Sequence, residues 1–228
     1  MAKPAARRRP RSEESAESLT ERAYRALEEL IVTLQLPPGA AVTEAALSAR
    51  LGIGRTPIRE ALQRLARERL VAIRPRRGII VAEENLTTQL RLIELRREVE
   101  RLLARSAARR ATPEQRRRLG EIAEGMEAAA RANDDIGFMR LDRDFNLLML
   151  EAARNEFAAA AMTLMHGLSR RFWYIHYRQV ADLPLAARLH AEVARAVAAG
   201  EAEAAAGAAE RLIDYIEAFA RATAAAGA

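Results

Sequence analysis

Only one short stretch of this chain is written for extended backbone, and that limits the fold more than any other feature. Leu70, Val71, Ala72 and Ile73 lead into a turn at Arg74-Pro75-Arg76-Arg77-Gly78, and Ile79, Ile80 and Val81 follow it. Two β-rich runs around a Pro/Gly turn predict a hairpin. Elsewhere the apolar residues recur at helical spacing. Alanine is abundant and aromatics make up only 4% of the 228 residues, a composition that suits closely packed helices. The fold is therefore mainly α.

Three helices precede the hairpin. The first starts near Ser18, where Ser18 and Glu21 have capping-box spacing, and Pro37-Pro38-Gly39 stops it. Thr43 caps a short second helix through about Leu51, and Gly52 and Gly54 make a tight turn. The third begins near Gly54 to Thr56, carries Pro57 in its first turn and runs to about Arg69. Three short helices and a hairpin predict a winged helix-turn-helix over residues 18–82. Residues 1–17, with Arg7, Arg8, Arg9 and Arg11 broken by Pro4 and Pro10, read as a disordered basic arm. After Glu84 only helical patterns follow, over about 85–111, 112–132, 135–153, 156–178, 184–199 and 201–225. Residues 83–228 are thus expected to form an all-α antiparallel bundle of about six helices.

The charge is distributed along the same division. Residues 1–82 hold 16 basic and 9 acidic side chains, whereas residues 83–228 hold 21 and 22. The entire net charge of +6 therefore sits at one end, which suggests a nucleic-acid partner for that end. The chain has no cysteine, which excludes disulfide scaffolds, thiolate zinc sites and cysteine nucleophiles. No apolar run approaches the roughly 18–20 residues of a membrane span. The basic N-terminus has no apolar stretch after it, so a cytoplasmic protein without a signal peptide is expected.

In the third helix, Ile58, Ala61, Leu62 and Leu65 form the inward stripe, and Arg55, Arg59 and Gln63 lie four apart on another face. Such a helix lies in the major groove, where an arginine fork matches O6 and N7 of guanine. Thr56 stands beside the helix N-terminus, whose N–H groups suit a phosphate. At the hairpin tip Arg76 and Arg77 can reach phosphate or the minor groove, and Gly78 allows a positive φ. The run GIGRTPIREALQRLARERLVAIRPRRGIIV, with Pro38-Gly39 ahead of it, resembles the winged-helix domain of GntR-family transcriptional regulators. That resemblance implies operator contacts from Arg55, Thr56 and Arg59, and from Arg77 and Gly78 in the wing. Gly54 stands where the family usually carries a serine.

The bundle is similar to the FCD type of ligand-binding domain found in the FadR-type subgroup of that family. The similarity rests on Glu94-Leu95-Arg96-Arg97-Glu98-Val99-Glu100, on Asp142-Arg143-Asp144-Phe145-Asn146 with Asn155 nine positions later, and on His190 followed by Ala199-Gly200-Glu201. Many such domains hold a divalent metal with one Asp and three His. This chain keeps Asp142 and His190 but has Asn146 and Leu212 at the other two positions. Leucine is no ligand and the asparagine amide is a weak one, so no metal cofactor is expected, although His166 and His176 could in principle rebuild a site. Asp142, Asn146 and His190 remain as a polar cluster. Arg96 either pairs with an anionic effector or forms an internal salt bridge with Asp142 or Glu100. Phe172, Trp173, Tyr174 and Tyr177 put most of the aromatic surface in one helix. They wall a ligand pocket, with Trp173 and Tyr177 as candidates, or serve as core or dimer interface.

The leading expectation is a homodimeric DNA-binding repressor that binds a palindromic operator and responds to a small metabolite, such as an organic acid or other anion. The alternative is a constitutive DNA-binding dimer whose bundle senses nothing. An enzyme is disfavoured. No Glu lies three residues before His166, His176 or His190, and the chain has neither a Gly-rich phosphate loop nor a nucleophile elbow.

Overall fold

A computed structural model of the chain describes residues 18–74, 78–180 and 182–226. The predicted arm over residues 1–17 and the wing-tip residues Arg76 and Arg77 lie outside the described residues. Among the described residues, the first four elements are α1 (Leu19–Val32), β1 (Ala41–Val42), α2 (Glu44–Leu51) and α3 (Arg55–Arg67). Strands β2 (Val71–Arg74) and β3 (Gly78–Val81) follow. The remainder is helical: α4 (Leu86–Arg110), α5 (Pro113–Arg131), α6 (Asp135–Ala153), α7 (Glu156–Val180), α8 (Leu183–Ala199) and α9 (Ala202–Ala226).

The predicted hairpin is the larger part of a three-stranded antiparallel sheet of order β1-β3-β2. Val71 pairs with Val81 and Arg74 with Gly78, while Ala41 and Val42 add to the other edge of β3 opposite Ile80 and Ile79. Two residues carry no period-2 pattern, so β1 leaves no mark in the sequence. Helix α1 also stops earlier than Pro37-Pro38-Gly39 would require. Thr33 closes it by donating its hydroxyl to the Glu29 carbonyl at 2.6 Å, and Leu34 then takes a positive φ of 60°. Two helix starts with capping-box spacing differ. Thr112 and Gln115 satisfy each other's backbone N–H, but Ser18 only accepts from the Glu21 N–H, because the Glu21 carboxylate is engaged by Arg64.

Helices α1 and α3 are joined by apolar packing around Leu27, Ile31, Ile58, Leu62 and Leu65. A polar lock adds to this: Tyr24 donates to Glu68 at 2.7 Å, and the Arg64 guanidinium lies 3.6 Å from the centre of the Tyr24 ring. Burial, with Glu28 and Glu68 nearby, pushes the Tyr24 hydroxyl far above the usual phenol range, so it stays a donor. In the bundle α4 packs chiefly on α9, and α5 on α8. Alanines at 104, 107, 187, 194, 205 and 208 fill these contacts and let the helices approach closely.

The winged helix sits on α7. At Gly167 the two parts approach closely, since a Cβ there would lie 2.5 Å from Leu70 Cδ1. Next to it, Arg171 is only 2% exposed and donates to the carbonyls of Ala82 and Glu83 at 2.8 and 3.4 Å. The chain leaving β3 is therefore held against α7 before α4 begins.

Candidate functional site

The candidate DNA-facing surface is built by α3 and the sheet. Arg55, Arg59, Gln63 and Gly78 line one surface groove of about 490 Å³, together with Glu44, Ile73 and Arg74. Thr56 is exposed at the helix start beside them. Gly54 caps α3 without a side-chain hydrogen bond, so the first N–H groups of the helix stay open to an acceptor from outside. Gly78 has a φ of +77°, a conformation that favours glycine. Arg55 has no hydrogen-bond or ion-pair partner among the described residues. Arg59 is held by Glu44 through two contacts of 2.8 Å. Glu44 and Arg74 were not singled out from sequence. Arg74 carried a signal as the first of the basic residues of the turn; Glu44 had the appearance of an ordinary first-turn helix residue.

The second site is a cavity inside the bundle. Its polar lining comes from Gln89 and Arg96 of α4, Asp142 and Asn146 of α6, His166, Ser169 and Arg170 of α7, and His190 of α8. Phe138, Met139, Phe172, Trp173, Tyr215, Ile216 and Phe219 supply apolar walls. Its volume is about 40 Å³, enough for a few waters at roughly 10–15 Å³ each. Any larger ligand would have to widen it.

The structure brings Asp142, Asn146 and His190 together. Asp142 Oδ1 lies 3.2 Å from both His190 Nε2 and Asn146 Nδ2. His190 Nδ1 lies 2.7 Å from the Ala186 carbonyl. Both ring nitrogens thus face oxygens that only accept, and the doubly protonated ring satisfies both. Burial opposes that charge, but the hydrogen bond and negative charge of Asp142 prevail and raise the His190 pKa. Burial likewise opposes the Asp142 carboxylate, yet His190 and Arg170 hold its pKa at about 2.

The structure chooses between the alternatives left open at Arg96 and departs from the expectation at Tyr177. Arg96 does not meet Asp142. Its guanidinium pairs with Glu100 at 2.5–2.7 Å and also contacts the Ser169 hydroxyl, so of the two internal pairings considered it takes Glu100. Tyr177 is not part of the cavity lining. It stacks on Trp173 with ring centres 4.6 Å apart and points its hydroxyl to Asp135. His166 lines the cavity, while His176 is half-buried against Glu84 at 3.1 Å.

The side chains do not fit the divalent metal that the fold family implies. His190 has no free lone pair in the arrangement above, Asn146 turns its amide to Asp142, and Leu212 lies in an apolar crevice beside Asn146 and His166. Among the described residues no group of three or more His, Cys, Asp or Glu side chains is placed to hold a metal ion.

His166 has no hydrogen-bond partner among the described residues. Burial, with the positive charges of Arg96 and Arg170 against the opposing Asp142, lowers its pKa to about 3. Its unfolded value is 6.5, so the unfolded chain binds a proton that the folded chain refuses as pH falls below that value. The loss of stability is expected to reach at most about 2 kcal/mol at pH 5. His166→Gln should flatten the fall in melting temperature between pH 6.5 and 5, and an unchanged slope would refute this.

Arg170 is a further residue the sequence did not expose. It is 8% exposed and reaches three oxygens: Glu28 Oε1 of α1 at 2.9 Å, the Met139 carbonyl at 2.7 Å and, as an ion pair, Asp142 Oδ2 at 3.0 Å. Its Nε–H has no well-aligned acceptor. Arg143 takes the other oxygen of Glu28 at 2.9 Å. A continuous buried line of charge therefore runs from the cavity to the first helix of the winged head.

A winged helix set on a helical bundle with an internal polar cavity defines a two-part DNA-binding regulator. Comparison with known proteins gives the family. The bacterial regulatory proteins of the gntR family match residues 19–81, and the FCD domain matches residues 91–215. The chain belongs to the GntR family of transcriptional regulators, in the branch with an FCD domain. The HTH-type transcriptional repressor RspR of Escherichia coli is 27% identical over 170 residues, 75% of each chain. An HTH-type transcriptional regulator from the TAR-I region of Agrobacterium vitis is 31% identical over 169 residues, 67% of this chain and 99% of that one. The solved structure of E. coli McbR/YncC superposes with a TM-score of 0.78 at 20% identity, over 91% of this chain and 99% of that chain. No helix among the described residues is long and apolar enough to cross a membrane.

Proposed function

We propose that this regulator is a cytoplasmic, homodimeric repressor of a palindromic operator, released by a small organic acid or other anion bound in the bundle cavity. Two-fold symmetry would place one winged head on each half-site. The observation that carries the ligand response is the Asp142–Arg170–Glu28 line. An anion entering the cavity competes with Asp142 and Glu28 for the Arg170 guanidinium, and Glu28 belongs to the DNA-binding head. A ligand that binds one head placement better than another shifts the equilibrium between them. Aromatic walls beside Arg170 favour an acid with an apolar body. The alternative, a constitutive dimer, draws support from the small volume of the cavity and from Arg96 being already paired with Glu100.

Thermal shift of the full chain against a panel of aliphatic and aromatic carboxylates separates the two. A true effector raises the melting temperature with concentration, by RT ln(1 + [L]/Kd) in free energy, and frees a DNA duplex that the protein selects from a random library. A panel with no shift favours the constitutive reading. Sedimentation at micromolar concentration checks the dimer.

A further inference from the structure

A carboxylate in a groove built to meet DNA needs a reason, because it repels phosphates. Glu44 is the first residue of α2, directly after the cap Thr43, whose hydroxyl accepts from the Ala46 N–H at 3.1 Å. An acidic residue in a first turn suits the helix dipole, and an exposed ion pair adds little to stability. Neither consideration accounts for its geometry. Glu44 Oε1 accepts from Arg59 Nε, and Oε2 from Nη2, both at 2.8 Å. The Arg59 side chain is 60% exposed and Glu44 28%, so the pair stands at the surface between α2 and α3.

A guanidinium has five N–H donors in a fixed plane. Glu44 takes the side edge, which is Nε–H and one Nη2–H. The end edge keeps an Nη1–H and the second Nη2–H side by side, the spacing that matches O6 and N7 of a guanine. We propose that Glu44 is the positioning residue for base readout: it grips Arg59 by one edge and aims the other at a single base pair. A free arginine would lose its side-chain freedom on binding, whereas this one is already fixed by a rigid helix start. Glu44 also lowers affinity for DNA in general through its charge, so it raises discrimination rather than strength. The inference rests on α3 being the reading helix, and it goes beyond the effector response.

The test uses the full chain and a duplex selected by the wild type from a random library, with every single-base variant of that site and an unrelated duplex as competitors. Glu44→Ala is expected to reduce discrimination about two- to twelve-fold at one base pair per half-site, the same pair that Arg59→Ala relaxes. Binding to the unrelated duplex should strengthen. Glu44→Asp keeps the charge and the helix start but is too short for the two-point grip, so it should lose discrimination without gaining non-specific affinity. In an Arg59→Ala background neither change should alter discrimination further. The proposal is overturned if Glu44→Asp and Glu44→Ala keep wild-type discrimination at every position. It is also overturned if they weaken all duplexes equally, or if their effect persists without Arg59. A wild type that selects no sequence overturns the assignment of α3 as a reading helix, and this proposal with it.

Discussion

Arg170→Leu is expected to destabilise the folded chain by about 3–5 kcal/mol, the cost of leaving buried charges without their counter-ion. The arginine links three oxygens on two elements outside its own helix: Glu28 of α1, and the Met139 carbonyl and Asp142 of α6. Glu28 would retain Arg143 at 2.9 Å and Asp142 would retain His190 at 3.2 Å, so the lower half of the range is the better expectation. Denaturant midpoints at neutral pH measure it. Arg170→Lys keeps the charge, but a single ammonium cannot span all three oxygens, and an intermediate loss should follow. Adding Glu28→Gln and Asp142→Asn to the leucine variant should deepen the loss, because Arg143 and the protonated His190 then lack their partners. Recovery instead would show that the two carboxylates are stranded despite Arg143 and His190. A loss below about 1 kcal/mol would mean that water reaches these charges, and the line from cavity to head would then carry no coupling.

The sequence carried what local patterns can carry. The hairpin runs of residues 70–73 and 79–81, the inward stripe of Ile58, Ala61, Leu62 and Leu65, and the cap at Thr112 each depend on neighbours within four residues, or across one turn. The structure has all three. The Arg96–Glu100 pair was present as an i, i+4 spacing, and its competition with Asp142 and with an anionic effector was undecided. What could not be read is what folding brings together from afar. Glu28 and Arg170 are separated by 142 positions, and neither belongs to a periodic pattern. His166 has no flanking motif, yet it faces the cavity because α7 passes between the head and the rest of the bundle. The pairing of Glu44 with Arg59 depends on the angle between two short helices, which Gly52 at a φ of +64° sets. Spacing alone placed Tyr177 with Trp173, one turn apart on α7. It could not show that Trp173 faces the cavity while the Tyr177 hydroxyl turns to the start of α6.

At the DNA face the largest single loss is expected from Arg55→Ala. Arg55 opens α3, is exposed, and has no partner among the described residues, so all of its donors are available to DNA. Arg59, by contrast, has one edge already occupied by Glu44. If Arg55 reads a guanine, its removal should weaken binding to the selected duplex by roughly 5- to 150-fold, which corresponds to about 1–3 kcal/mol, and relax the preference at that base pair. If it contacts a phosphate instead, the loss should be similar for every duplex, and the dependence of log K on log salt should become shallower by about one. The two outcomes are told apart by titrating the selected and unrelated duplexes at several salt concentrations. Arg118→Ala makes a fair control, since it removes one exposed positive charge from the bundle, where Arg118 pairs with Glu121 at 3.2 Å. An unchanged affinity for Arg55→Ala on both duplexes would remove Arg55 from the reading surface. Recognition would then rest on Arg59, Gln63 and the wing.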